Sequence, residues 1–238
     1  MLVSAAVCPH PPLLVPELAA GAAGELDGLR GACHEAVAVL LGSQPDLVVV
    51  VGDAPSTGPY PDGAWGSLAP YGVDVRVGEG TGSPTLPLAL TIGRWLLDRE
   101  EHAEVAASFF GVGADTDAHR AAQLGETLAA RADRVALLVM GDASARRSLK
   151  GPGYLDERAA PYDETVAEAL GTADLQGLLA LDPVLSHELL VAGRASWQVL
   201  AGAARGARWS ARLVFEGAPY GVTYLVAAWT PVAEQAEG

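Results

Sequence analysis

A chain of 238 residues with 50% hydrophobic and 18% charged positions can bury one substantial core, which excludes intrinsic disorder. Fifteen Lys and Arg against 29 Asp and Glu give a formal charge of -14, which repels phosphate backbones and anionic membrane surfaces and excludes a nucleic-acid or polybasic role. Two cysteines, Cys8 and Cys33, cannot build a disulfide framework and there is no asparagine to glycosylate, so a cytoplasmic setting is expected.

The apolar opening has no basic leader, and Pro9, Pro11 and Pro12 cut it well short of the roughly 20 residues of a membrane span. It reads as a buried strand over residues 2–7. Helical spacing follows over 25–41, then a Val-rich strand over 47–51 that runs into Gly52-Asp53. Residues 55–70, rich in proline and glycine and carrying Tyr60 and Trp65, read as a long binding or lid loop. A strand over 73–77, a helix over 86–101 and a strand over 105–110 come next. The turn Gly111-Val-Gly113 has Thr116 where a dinucleotide-binding fingerprint needs its third glycine, so it reads as a turn before a helix over 115–131, with Asp115 as its N-cap. The strand over 135–140 enters Gly141-Asp142 and a second long loop, 143–161. Helices over 162–170 and 183–203, strands over 211–215 and 223–228, and a frayed tail over 231–238 complete the chain. Short Val/Leu strands alternating with Ala-rich helices predict an α/β fold: a single domain over 1–230 with a central, mostly parallel or mixed sheet flanked by helices.

Ligands of open α/β sheets collect at the carboxyl ends of the strands. His10, Asp53 and Asp142 each stand directly after a predicted strand, so they are the candidates to share one cleft. Each also has a plain structural reading: His10 tied by backbone hydrogen bonds, Asp53 and Asp142 capping turns. Arg146, Arg147 and Lys150 form the one cationic cluster, suited either to an anionic substrate group or to a solvated loop. Walker A, Gly-x-Ser-x-Gly, His-Glu-x-x-His and Cys-x-x-Cys motifs are missing.

Cys8-Pro9-His10-Pro11-Pro12 resembles the first strand end of the class III extradiol ring-cleavage dioxygenases, in the manner of protocatechuate 4,5-dioxygenase beta-subunit-like proteins. The segments 47–53 and 135–144 resemble that superfamily's second strand and its Gly-Asp-x-Ser-His segment. Gly153-Tyr-Leu-Asp-Glu-Arg-Ala159, Tyr162-Asp163 and Glu216-Gly-Ala-Pro-Tyr-Gly-Val222 resemble later segments in the same order. The resemblance implies a two-His, one-carboxylate site for Fe(II) and a further acid/base histidine. Carried onto this chain, it gives His10 as a metal ligand and Glu216 as the carboxylate. Ala54 stands where the second metal histidine is expected, and Ala145 where the acid/base histidine is expected.

The expectation is therefore an eroded site that binds a small polar or aromatic molecule. Ser144, Arg146 and Tyr154 are its candidate substrate contacts and Asp142 its candidate proton carrier. The rival is a rebuilt metal site in which His10, Asp53 and Glu216 hold Fe(II), Mn(II) or Zn(II) and support oxidoreductase chemistry; a second rival is a non-catalytic scaffold or subunit. The resemblance also implies a homodimer, and neither a nucleic acid nor a membrane is expected as a partner.

Overall fold

The computed structural model describes residues 1–100 and 105–232. The end of the helix expected over 86–101, His102 and most of the frayed tail lie outside the described residues.

Seven strands form the main sheet: β1 (Leu2–Cys8), β2 (Leu47–Asp53), β3 (Gly58–Pro59), β6 (Ala106–Val112), β7 (Val135–Met140), β8 (Trp209–Gly217) and β9 (Tyr224–Pro231). Two further short strands, β4 (Gly66–Ser67) and β5 (Arg76–Val77), pair only with each other. The main sheet runs in the order β3-β6-β2-β7-β1-β9-β8. Its centre is parallel, β6 with β2, β2 with β7 and β7 with β1, while β9 is antiparallel to β1, and β3 and β8 are antiparallel edges.

Val48, Val49, Val50 and Val51 are fully buried, because alternate side chains enter two separate cores. Such two-sided burial is why β2 reads as an unbroken β-branched run. One core lies under α2 (Asp27–Gly42) and α3 (Leu88–Leu97), where Leu29, Val37, Leu40, Leu90 and Leu96 meet Ala6, Val50 and Leu138. The other lies under α4 (Ala118–Ala129), α5 (Ala159–Thr172) and α8 (Arg194–Ala203), where Leu128, Val166, Trp197 and Leu200 meet Val7, Val51 and Leu137. The short helices α1 (Pro16–Ala19), α6 (Leu175–Leu179) and α7 (Pro183–Glu188) complete the set.

The single-domain α/β expectation holds, with a mixed sheet. Several local readings are corrected. The strand expected over 73–77 shortens to Arg76–Val77 and lies outside the main sheet. The N-cap of α4 is Asp117, whose carboxylate accepts the Arg120 N–H at 2.9 Å, and not Asp115. The helix expected over 183–203 is two helices, α7 and α8. Leu190 takes φ +57°, and the link between them is stitched to the loop after β7 by Ala192 N–H to the Asp142 carbonyl and Ala145 N–H to the Leu189 carbonyl, both 3.0 Å. That stitching places the start of α8 at the carboxyl end of the parallel strands. Among the described residues no helix is long and apolar enough to cross a membrane.

Candidate functional site

His10 follows β1 and is buried. Its backbone N–H donates to Asp142 Oδ1 at 2.8 Å, and its Nδ1 lies 3.7 Å from the same oxygen. Nδ1 has no hydrogen-bond partner among the described residues, which leaves the imidazole oriented but not saturated. Because β7 and β1 are parallel neighbours, Asp142 and His10 emerge at the same sheet edge. Asp53 emerges there too, at the end of β2 on the far side of β7. Burial pushes the Asp53 carboxyl above the ordinary carboxylate range, the His10 imidazole opposes this, and the Asp142 charge adds to it.

The cleft over this edge has a volume of about 670 Å³, within the roughly 300–1,000 Å³ typical of small-molecule sites. His10, Asp53 and Asp115 supply its polar wall; Leu88, Ala89 and Tyr71 supply apolar and aromatic surface. Ala54 lines it as well, and Gly111 lies so close that an added Cβ there would meet the Ala54 Cβ at 2.5 Å. Tyr224 is buried nearby, its phenol pushed above its ordinary range by burial and then by the Asp142 charge.

The other expected site residues lie elsewhere. Ser144 is fully buried, and its N–H and hydroxyl both donate to Asp163, at 2.9 and 2.7 Å. Thr223 and Arg147 also donate to that carboxylate, at 2.5 and 3.1 Å, so Ser144 belongs to a buried polar hub and not to the cleft wall. Arg146 donates to the Gly153 carbonyl at 2.6 Å and closes its own loop. Tyr154 takes φ +61° and is 62% exposed. Glu216 is exposed on the edge strand β8, with β9 between it and β1.

The ligand set expected for iron therefore does not fit this arrangement. Ala54 replaces one imidazole, Glu216 lies apart from His10 and Asp53, and among the described residues no group of three or more His, Cys, Asp or Glu side chains converges as a metal site. A second compartment opens beside the cleft, with Asp53 and Ala114 lining both. Its far wall includes Ser186, Arg194 and Ser196. Sequence reading missed these residues because Arg194 and Ser196 were absorbed into one continuous helical pattern over 183–203; Gly193, directly before Arg194, was the available break signal.

No family model matches the chain, and no curated protein matches it. Among solved structures it is similar to the crystal structure of the uncharacterized protein JW3007 from Escherichia coli K12. The two share 17% identity and a TM-score of 0.54, over 96% of this chain and 99% of that one. This likeness concerns the fold alone.

Proposed function

We propose that the chain is a class III extradiol dioxygenase-like protein whose cleft binds a small polar or aromatic molecule, without the three-ligand metal centre of that superfamily. The observation that carries this reading is the convergence of His10, Asp142 and Asp53 at the open end of the parallel strands while Glu216 stays on a distant edge. The His10 imidazole and the Asp53 carboxylate in the cleft wall can donate and accept hydrogen bonds with a polar ligand. Leu88, Ala89 and Tyr71 give an aromatic ring something to pack against.

The test is a screen of small phenols and polar aromatics by thermal shift and calorimetry, alongside elemental analysis of untagged protein reloaded anaerobically with Fe(II), Mn(II) or Zn(II). The expected result is saturable binding that His10→Ala and Asp53→Asn weaken by about tenfold each, with far less than one metal per chain. About one metal per chain, lost in His10→Ala, would replace this reading with a rebuilt metal site. Binding that neither substitution changes would leave a scaffold role.

A further inference from the structure

The compartment beyond Asp53 has features that a solvent-filled crevice does not need. Arg194 is only 4% exposed, yet no carboxylate lies within ion-pair distance of it among the described residues. Its guanidinium is held by neutral acceptors instead: the Ala114 and Thr116 carbonyls at 2.5 and 3.0 Å and Gln198 Oε1 at 2.7 Å. Buried charges are ordinarily paired; here the charges of Asp115 and Asp117 act on the guanidinium without an ion-pair contact among the described residues.

Arg194 is also the first residue of α8, a ten-residue helix that Gly193 precedes without a side-chain cap. The N–H groups of Arg194, Ala195 and Ser196 have no acceptor among the described residues. Uncapped first-turn amides and the helix dipole both favour an anion. An independent observation points the same way: Ser196 is 1% exposed and lines the compartment, and its Oγ has no hydrogen-bond partner among the described residues. A buried hydroxyl left unpaired costs about 1–3 kcal/mol, which a ligand acceptor would recover.

We propose that this compartment is an oxyanion subsite that receives the carboxylate of the molecule bound in the main cleft, held by Arg194, the Ser196 hydroxyl and the first-turn amides of α8. The size selects a carboxylate. The free volume is about 40 Å³; at roughly 10–15 Å³ per water-sized atom it admits about three heavy atoms. The position selects the ligand class, since Asp53 and Ala114 are shared walls and one molecule can place its body against His10 and its carboxylate against Ser196. The subsite stands on its own geometry; its role as the anchor of an aromatic or polar acid rests on the cleft reading above.

Calorimetric titration with acetate, benzoate and benzyl alcohol, on the wild type, Ser196→Ala and Arg194→Lys, separates the two ideas. Benzoate is expected to bind wild type at least about fivefold more tightly than benzyl alcohol, and Ser196→Ala to weaken benzoate and acetate about tenfold. Benzyl alcohol affinity should be unchanged in Ser196→Ala and Tm should not fall, because in the free protein that hydroxyl has no hydrogen-bond partner among the described residues. Arg194→Lys keeps the charge and loses the planar fork, and is expected to weaken the carboxylates further. Equal binding of benzoate and benzyl alcohol, insensitive to Ser196→Ala, overturns the subsite and leaves the cleft reading intact. Ser196-dependent binding of acetate without any binding of the aromatic compounds keeps the subsite and overturns the cleft reading. No binding of any probe overturns both.

Discussion

Asp163 and Asp53 show how differently two carboxyl groups of this fold are used. Asp163 is fully buried and accepts from Ser144, Thr223 and Arg147, so its oxygens are saturated by donors from the loops after β7 and before β9. Asp163→Asn would turn amide hydrogens toward donors and leave Arg147 without its counter-charge. The expected loss is about 3–5 kcal/mol, read by denaturant unfolding. Asp53 behaves oppositely, because its folded-state carboxyl is raised above the ordinary value. An acid raised on folding lowers stability as pH climbs through the interval from the ordinary carboxylate range, about pH 4, up to its raised value, and the full cost is present above that interval. Asp53→Asn should therefore stabilise the protein at pH 7, by less than about 1 kcal/mol given partial exposure, which is a rise in Tm of at most about 2–4 °C. The gain should vanish below about pH 4, where the wild-type carboxyl is protonated in both states. Thermal melts of both proteins across pH 3–8 check the sign.

At the scale of elements, the contact between α4 and α8 decides where the oxyanion compartment sits. Gly125 and Gly202 let the two backbones touch: a Cβ on Gly125 would meet the Val199 carbonyl oxygen at 2.0 Å, and one on Gly202 the Ala122 carbonyl oxygen at 2.1 Å. Gly202→Ala would gain about 1 kcal/mol in helix propensity, yet it must push α8 off α4. A net loss of about 1–3 kcal/mol is expected in equilibrium unfolding, together with weaker carboxylate binding as the start of α8 shifts. The strands were legible in the sequence because burial on both faces imposes long Val/Leu runs with clear stops, as in residues 47–53. His10, Asp53 and Asp142 were legible because they follow those stops. Ser144 was misplaced because nothing local announces that Asp163, nineteen residues on, takes both its donors. Glu216 was misplaced because the sequence does not give strand order, and that order leaves it on the far edge. Arg194 and Ser196 were invisible because the helical period continues through a break that only the Ala192 and Ala145 hydrogen bonds define.

For the whole molecule, the formal charge of -14 is a self-repulsion that dissolved salt screens. Among the described residues the ion pairs of Arg158 with Asp156 and Glu188, and of Arg205 with Glu126, lie at the surface and offset it little. Tm should rise by a few degrees between about 10 and 200 mM NaCl, where the Debye length falls from roughly 30 Å to under 10 Å. A flat or falling dependence in differential scanning calorimetry would show that local pairs outweigh the net charge. The sheet order has a further consequence, for how the chain reaches this state. β1 is made first, yet it lies between β7 and β9, and Val7 pairs only with Val139 and Ala227. During synthesis the apolar segment Leu2–Cys8 therefore waits for Val135–Met140 before its first partner exists, and its other side is closed only by Tyr224–Pro231. Long-range parallel closure of this kind folds slowly and leaves a sticky strand exposed in the meantime, so the order in which the strands are made opens a window for aggregation that the finished sheet closes.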